Sequence, residues 1–392
     1  MHNPDGFSEA LFEKMKEFNA GISELELYEF RYCLKDWLPD KGWESVELEA
    51  RDVIEARINS REFYDRILIK PKVNGKIVLD SEIFRLTQML FAGLVEGMYS
   101  AEWINAHFYF DTRGFYFLHR TSYFTEEIKT HFGGVPFRQF EQRQREFDRW
   151  QDVGYKAFKV ANTEVDRLFI ESVRKLITGR GMPITIAVAG PTAAGKTEVV
   201  DRLKEFFRLE GKPTASIELD NFLTDRDYRE AKGIHTEGKE ALHLGLLKQA
   251  LLDITQGKKV STPCYDFVAA TSSHDLNGRL KPGGVPVEIE PAEIIFIEGN
   301  FPFLIDEIAS LIGIKIVYLT DDPVRLKRKW KRDIDYRKKY DFNYFRNRYF
   351  KDQFIMTEVA YRPQMEICDI AVDTTGAALW VTPGVKRILE GS

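Results

Sequence analysis

The sequence lacks the features of a secreted, membrane-spanning or nucleic-acid-binding protein. Its three cysteines are spread over 392 residues without a C-x-x-C pair, which predicts reduced thiols and no structural zinc site. No segment reaches the roughly 18 uninterrupted apolar residues of a membrane span, and the N-terminus lacks the basic start and apolar run of a secretory signal. The net charge of −5 provides no excess of positive charge to attract nucleic acid or an anionic membrane. We therefore expect a cytoplasmic protein with neither kind of partner.

The length of the chain and a change of pattern near residue 180 predict two domains. A chain of 392 residues exceeds one ordinary hydrophobic core, and residues 179–183 form a break rich in Gly and Pro. Before this break, helical patterns at 7–38, 81–99 and 138–178 are interspersed with short strand patterns at 67–79 and 103–120. Residues 1–180 are therefore predicted to form a separate α+β domain, to which the sequence assigns no role.

After the break, short apolar segments alternate with helical ones. The predicted strands are Ile184–Ala189, 215–219, 294–297, 315–319 and 370–372. Such alternation is typical of a parallel sheet that is covered by helices on both faces. Residues 181–392 are therefore predicted to form an α/β domain with a doubly wound parallel sheet.

The strongest motif lies directly after the first of these strands. Residues 190–197 read Gly-Pro-Thr-Ala-Ala-Gly-Lys-Thr and match G-x-x-x-x-G-K-[ST], the phosphate-binding loop. In such a loop backbone N–H groups surround the phosphates of ATP, the lysine reaches the β- and γ-phosphates, and the hydroxyl of the last residue binds Mg²⁺. The predicted nucleotide-binding residues are Gly190, Ala193, Ala194, Gly195, Lys196 and Thr197.

Two acidic residues at strand ends are candidates for the chemistry. Asp220 follows the second predicted strand, and Glu298 ends the third. The carboxyl ends of strands in a doubly wound sheet face the ligand crevice, so Asp220 can accept the proton of an attacking hydroxyl. An Asp that caps the next turn is the alternative. Glu298 is predicted to hold Mg²⁺ or to contact the substrate, and the sequence does not decide between the two.

A basic segment follows the fourth strand. Residues 325–339 contain nine Lys or Arg in fifteen positions. A solvated helix face and a nucleic-acid patch are the ordinary explanations for such a run. A lid that brings arginines over the transferring phosphoryl group is the third. The lid candidates are Arg328, Arg332, Arg337 and Lys339, with Arg332 and Arg337 preferred as catalytic residues.

These segments together resemble the phosphoribulokinase/uridine kinase family. The likeness covers about residues 184–376 and includes the phosphate loop, Asp220-Asn221-Phe222, residues 263–267 (Pro-Cys-Tyr-Asp-Phe), Glu298-Gly299 and the basic segment. The resemblance implies a P-loop kinase that uses ATP and Mg²⁺, with Asp220 as general base. It also implies an acceptor pocket at Asp220, Phe222, Tyr265 and Glu298, and a small acceptor with a hydroxyl group, often a nucleoside or a sugar phosphate.

The sequence departs from the uridine kinase pattern at the acceptor side. Uridine kinases typically continue Tyr-Asp-Phe-x-x-His-x-Arg, whereas Ala270 and Ser272 stand at the His and Arg positions here. The family's Asp-His-Pro-Asp segment is also absent. Because lost hydrogen-bonding partners change substrate discrimination strongly, the acceptor stays open among nucleosides, sugars and related alcohols.

Two other functions remain open at this point. The phosphate loop also fits a nucleotide-controlled switch or ATPase whose N-terminal domain contacts a partner. An RNA-linked protein that uses the basic segment is disfavoured by the acidic net charge. The sequence does not decide whether the chain forms a homo-oligomer.

Overall fold

The computed structural model describes most of the chain. The described residues are 4–17, 20–35, 42–66, 69–73, 76–79, 81–111, 116–121, 123–139, 163–236, 238–320, 325, 328–329, 332 and 354–391.

The N-terminal part combines helices with two hairpins. Its α-helices are Pro4–Met15, Leu27–Leu34, Arg51–Ile58, Arg61–Arg66, Ser81–Glu96 and Ala101–His107. Its strands are β1 (Ile69–Val73), β2 (Lys76–Leu79), β3 (Phe108–Asp111) and β4 (Tyr116–His119). The pairs β1–β2 and β3–β4 are antiparallel. The predicted strand pair at 103–120 is therefore confirmed for its second part, whereas its first residues belong to a helix.

One hydrophobic cluster holds this part together. Helix Ser81–Glu96 buries one face against it, as expected from apolar residues at helical spacing. Phe91 meets Phe117 edge to face with ring centroids 5.4 Å apart, and Phe7 stacks on Trp43 at 4.5 Å. Phe108, Tyr109, Phe110 and Phe117 of the second hairpin thus serve as core.

The remaining strands form one large sheet and two small antiparallel pairs. In chain order they are β5 (Arg138–Gln139), β6 (Ile184–Ala189), β7 (Thr214–Glu218), β8 (Val260–Thr262), β9 (Tyr265–Asp266), β10 (Thr271–Ser272), β11 (Val287–Ile289), β12 (Ile294–Gly299), β13 (Ile314–Leu319), β14 (Ile370–Asp373) and β15 (Ala378–Val381). The large sheet has the order β5-β15-β14-β13-β6-β12-β7. Strands β14, β13, β6, β12 and β7 are parallel neighbours, whereas β15 runs antiparallel to both β14 and β5.

Helices cover both faces of this sheet. They are Glu126–His131, Thr163–Ile177, Lys196–Leu209, Arg226–Lys232, Leu244–Thr255, Asp306–Ala309, Arg362–Met365 and Pro383–Glu390. Alternate residues of β12 enter two separate clusters, because successive side chains of a strand point to opposite faces. The predicted doubly wound α/β fold is confirmed. Within the described ranges, no helix combines the length and the apolar character that a membrane crossing needs.

All five predicted strands of the second half occur, with ends shifted by no more than two residues. Two parts of the sheet were not predicted. Residues 138–139, expected to start a long helix, instead form β5, and β15 was missed. The helix expected there is described from Thr163 to Ile177; residues 140–162 lie outside the described ranges.

The predicted domain boundary at residue 180 stays a prediction. Several elements before it pack with the large sheet: β5 pairs with β15, helix Thr163–Ile177 joins the cluster around β6, and Tyr123 joins the cluster on the other face. The N-terminal cluster, by contrast, extends from Phe7 to Phe117. From this packing we propose that the sheet domain begins near residue 120.

Candidate active site

The phosphate loop connects β6 to helix Lys196–Leu209. Gly190 opens the loop with φ +148°, and a Cβ at this position would lie 2.2 Å from the carbonyl oxygen of Tyr318. Only glycine fits so close to another backbone. Gly195 caps the helix with φ +100°. The strand–loop–helix context that the motif requires is therefore confirmed.

Lys196 is held over this loop. Its Nζ donates hydrogen bonds to the carbonyl oxygens of Gly190 (2.9 Å) and Pro191 (3.1 Å) and to Oδ1 of Asn300 (3.3 Å). Burial lowers the pKa of Lys196 to about 8, although the carboxylates of Glu298 and Asp220 act in the opposite direction. A partly desolvated ammonium group gains strongly from an anionic partner such as a phosphate.

Glu298 ends β12 beside the first turn of the loop helix. Thr197 Oγ1 donates a hydrogen bond to its Oε1 over 2.8 Å, while Oε2 is buried and has no hydrogen-bond partner. Burial raises the pKa of Glu298 to about 7, against the opposing effects of Lys196 and the Thr197 hydrogen bond. A hydroxyl and a carboxylate with an unused oxygen are ligands that suit a hard cation such as Mg²⁺.

Two more carboxylates lie at the end of the neighbouring strand. Glu218 ends β7 in register with Glu298, and Asp220 follows in a 3₁₀ turn, Leu219–Phe222. The side chains of Glu218 and Asp220 are exposed and line the same cavity as Glu298. The strand ends thus bring three carboxylates to one edge of the sheet.

The basic segment contacts the phosphate loop from the other side. Nη1 of Arg328 donates to the carbonyl oxygen of Ala193 (3.2 Å), and Nη2 of Arg332 donates to Oγ1 of Thr192 (3.1 Å). Burial lowers the pKa of Arg328. Both lid candidates within the described residues therefore lie at the loop. Arg337 and Lys339, the other two candidates, lie outside the described residues.

Arg325 anchors the start of this segment. It is 2% exposed, and its guanidinium donates to the carbonyl oxygen of Thr320 (2.9 Å) and to the hydroxyl of Tyr123 (2.8 Å). Tyr123 in turn lies in the cluster of the sheet domain. This arginine, which the sequence did not single out, fixes the segment to the protein interior.

These groups surround one cavity of about 560 Å³, a volume typical of small-molecule sites. Its lining comprises Thr192, Ala193, Gly195, Lys196, Thr197, Glu198, Glu218, Asp220, Phe267, Glu298, Gly299, Asn300, Arg328 and Arg332. Most of the predicted site residues that are described are among them. Gly190 and Ala194 are in the loop but do not line the cavity.

Phe222 and Tyr265 also lie away from the cavity wall. Both are buried in the hydrophobic core, and the Tyr265 hydroxyl accepts a hydrogen bond from Nη2 of Arg229 at 3.0 Å. Their predicted contact with the acceptor stays a prediction. The aromatic residue in the lining is instead Phe267, which meets Tyr265 edge to face at 5.2 Å. Sequence reasoning missed Phe267, Asn300 and Glu218, although each stands within two residues of a residue that it selected.

Comparisons with known proteins agree on the family. The profile described as "Phosphoribulokinase / Uridine kinase family" matches residues 185–377. The chain is similar to uridine-cytidine kinase B of Dictyostelium discoideum, with 31% identity over 155 residues, 39% of this chain and 59% of that protein. It is 30% identical to a uridine kinase of Macrococcus caseolyticus over 155 residues, 39% of this chain and 69% of that protein. Phosphoribulokinase from Rhodobacter spheroides superposes with a TM-score of 0.35 and 20% identity over 49% of this chain and 70% of that one.

The matched region contains the phosphate loop, the strand-end carboxylates and the described part of the basic segment, and it excludes all residues before the loop strand. The chain spans less than two thirds of the first of these curated relatives. Through residues 185–377, the chain belongs to the phosphoribulokinase/uridine kinase family of P-loop kinases.

Proposed function

We propose that the protein transfers the γ-phosphate of ATP to a hydroxyl group of a small molecule. The observation that carries this proposal is the shared cavity, which Lys196 and Thr197 of the phosphate loop line together with Asp220. A nucleotide-binding loop needs no such carboxylate for binding alone, whereas phosphoryl transfer to an alcohol needs a group that takes up the proton.

In the proposed reaction the acceptor oxygen forms a bond with the γ-phosphorus, and the bond from that phosphorus to the β–γ bridging oxygen breaks. Asp220 takes the hydroxyl proton, and ADP leaves with the bonding electron pair. Asp220 suits this role because it is exposed to the cavity at a strand end. Its carboxylate therefore meets an acceptor without displacing any part of the core.

The cationic groups of the cavity would stabilise the transferred group. Lys196, Arg328 and Arg332 all hydrogen-bond to atoms of residues 190–193, so they surround the place where the motif binds phosphates. Charge on the equatorial oxygens of the transferred phosphoryl group is stabilised by such preorganised donors. We propose Arg337 as a further member of this set on the basis of the sequence alone.

Thr197 and Glu298 would hold Mg²⁺. The unpartnered Oε2 of Glu298 supports this assignment. Among the described residues, no group of three or more His, Cys, Asp or Glu side chains is arranged as a metal site, so the ion would take its other ligands from phosphate and water, as Mg²⁺ commonly does. When bound, Mg²⁺ would neutralise charge on the β- and γ-phosphates.

The acceptor is proposed only as a class. Curated relatives carry the name uridine kinase, but Ala270 and Ser272 replace the His and Arg of that pattern. Both are 3% exposed, and the Ser272 amide donates to Asp225 Oδ1 over 2.7 Å. Ala270 has no polar side-chain atom and Ser272 is buried, so neither side chain reproduces the His and Arg of the uridine kinase pattern. We therefore include nucleosides, sugars and related alcohols.

The test is an ADP-release screen with ATP and Mg²⁺ across nucleosides, sugars, sugar phosphates, polyols and pantothenate-like alcohols. We expect one class of alcohol to stimulate ADP release and to become phosphorylated, and Asp220→Asn to abolish this stimulation. If ATP turnover is independent of every alcohol and Asp220→Asn leaves it unchanged, the protein is a nucleotide-controlled switch or ATPase instead. We also propose a cytoplasmic location, which the three free thiols support.

A further inference from the structure

The two ends of the cavity carry opposite charge. Lys196, Arg328 and Arg332 contact the phosphate loop, whereas Glu218 ends β7 and Asp220 follows that strand. We propose that Glu218, together with Asp220, selects an acceptor without negative charge, such as a nucleoside, a free sugar or a polyol, over phosphorylated or carboxylated alcohols. This inference rests on the proposed kinase function and names the substrate class of the same site.

Glu218 occupies a position that the acceptor must approach. It ends β7 in register with Glu298 of β12, and neighbouring strands lie about 4.8 Å apart. Asp220, the proposed base, is two residues further along, and both side chains line the cavity. An acceptor whose hydroxyl reaches Asp220 therefore lies close to Glu218.

The cations of the cavity are engaged at its other end. Each of the three lining cations in the described part of the chain donates to the loop at residues 190–193, where the triphosphate would bind. Lys204 is near Glu218, but its ammonium lies 3.4 Å from Asp201 Oδ1 and 3.4 Å from Ser216 Oγ, and it does not line the cavity. Among the described residues, an anionic group of an acceptor near Asp220 would therefore meet carboxylates and no unengaged cation of the cavity lining.

The surroundings of Glu218 make a further negative charge costly there. Partial desolvation raises the pKa of Glu218, and repulsion from Asp220 and Asp201 adds to this effect. Like charges brought together at a binding site oppose association strongly. A hydroxyl group has the reverse effect, because it donates a hydrogen bond to a carboxylate oxygen.

Two uncharged side chains, Phe267 and Asn300, accompany the carboxylates in the lining, and Asn300 accepts a hydrogen bond from Lys196 over 3.3 Å. Phe267 offers an apolar ring surface, which suits the flat or apolar face of a base or sugar, and Asn300 offers an amide. Together with Glu218, they suit a neutral molecule that carries several hydroxyl groups on one side.

The test compares alcohols in pairs that differ by one anionic group. The pairs are uridine and orotidine, glycerol and D-glycerate, D-ribulose and D-ribulose 5-phosphate, and pantetheine and pantothenate. For each, kcat/KM is measured with saturating ATP and Mg²⁺. We expect the neutral member of the accepted pair to be preferred at least about tenfold. Glu218→Gln should reduce this preference about tenfold, and Glu218→Lys should reverse it.

The control is Glu210→Gln, which changes an exposed glutamate that does not line the cavity and should leave the preference unchanged. Thermal unfolding midpoints close to that of the wild type show that the variants fold. Preference of the wild type for the anionic member would overturn this inference while supporting the kinase function. An unchanged preference in Glu218→Gln and Glu218→Lys would overturn the role of Glu218. If no alcohol of the ADP-release screen is phosphorylated and Asp220→Asn leaves ATP turnover unchanged, both proposals are overturned.

Discussion

Thr197 and Glu298 are joined by a hydrogen bond of 2.8 Å from the threonine hydroxyl to a carboxylate oxygen. It links the first turn of the loop helix to the end of β12, and it leaves the second oxygen of Glu298 unpartnered. The two residues therefore form a small oxygen-lined site beside the phosphate loop.

If this site binds Mg²⁺, substitutions in it should raise the Mg²⁺ concentration that ATP binding requires. Thr197→Val and Glu298→Gln should each raise the Mg²⁺ concentration for half-maximal ATP binding at least about tenfold, because each removes an oxygen ligand or its charge. Calorimetric ATP titrations at several Mg²⁺ concentrations measure this. Thr197→Ser keeps the hydroxyl and should behave like the wild type. If the Mg²⁺ concentration for half-maximal ATP binding is unchanged in both Thr197→Val and Glu298→Gln, the assignment of the magnesium site is wrong.

Lys196→Ala should lower kcat/KM for phosphoryl transfer at least about 100-fold, because a preorganised donor to the transferring phosphate is lost. The measurement is a coupled ADP-release assay with an acceptor found in the screen. Lys232→Ala, which alters an exposed lysine of helix Arg226–Lys232, serves as the matched control. Appreciable transfer by Lys196→Ala would refute the role of this lysine.

Asp220→Asn should lower kcat about 100- to 10,000-fold while ATP affinity stays close to that of the wild type, because the change removes a proton acceptor and retains the shape of the side chain. Single-turnover assays measure transfer, and equilibrium titration measures ATP binding. The control is Asp227→Asn at an exposed aspartate. Equal losses of binding and of transfer would argue for a structural role of Asp220.

Gly190→Ala should abolish ATP binding, since its Cβ would lie 2.2 Å from a backbone carbonyl oxygen that cannot move independently of β13. We expect a loss of ATP affinity of at least about 100-fold, together with a lower thermal unfolding midpoint. Gly245→Ala, whose Cβ would meet nothing within 4 Å, should leave ATP affinity unchanged and should not lower the unfolding midpoint, because alanine is the better helix former in helix Leu244–Thr255. ATP binding by Gly190→Ala at the wild-type affinity would disprove the close packing.

The free energy of unfolding should decrease as the pH drops below neutral, because of His119. Burial lowers the pKa of His119 from 6.5 to about 4, with smaller contributions from His107 and Arg362. The unfolded chain therefore binds a proton at this residue first, and stability is lost as the pH falls from about 6.5 towards 4. Between pH 7 and pH 5 the loss attributable to His119 should be about 2 kcal/mol.

Urea unfolding of the wild type and of His119→Gln at both pH values measures this loss. The pH-dependent loss should be smaller in His119→Gln, whereas His235→Gln, at an exposed histidine, should retain all of it. An identical pH dependence in all three proteins would exclude His119 as the cause.

The sequence predicted the parallel sheet well because its central strands, such as β6 and β12, are buried on both faces and read as continuous apolar runs. β6 is such a strand, and the phosphate loop after it has fixed spacing, so both were predicted to the residue. By contrast, β5 contains only Arg138 and Gln139. A two-residue strand has no periodicity, and only its pairing with β15 defines it.

The residues that line the acceptor side of the cavity were harder to predict, because their positions also depend on contacts between distant parts of the chain. Tyr265 and Phe267 are both aromatic and two residues apart, and the sequence alone does not say which one is in the core. Asn300 likewise gains its position from its hydrogen bond with Lys196, a residue 104 positions earlier. Such choices depend on tertiary packing, which spacing does not encode.

The short strand β5 has a consequence for any shortened form of the protein. It occupies the free edge of β15, with Gln139 opposite Ala378 and Arg138 opposite Leu379. A fragment starting after the Gly- and Pro-rich break would leave that edge unpaired and would also uncover the apolar surface under helix Thr163–Ile177. Open sheet edges beside apolar surface recruit strands from other molecules. Such a fragment would contain the whole matched family region and would still be prone to self-association and precipitation.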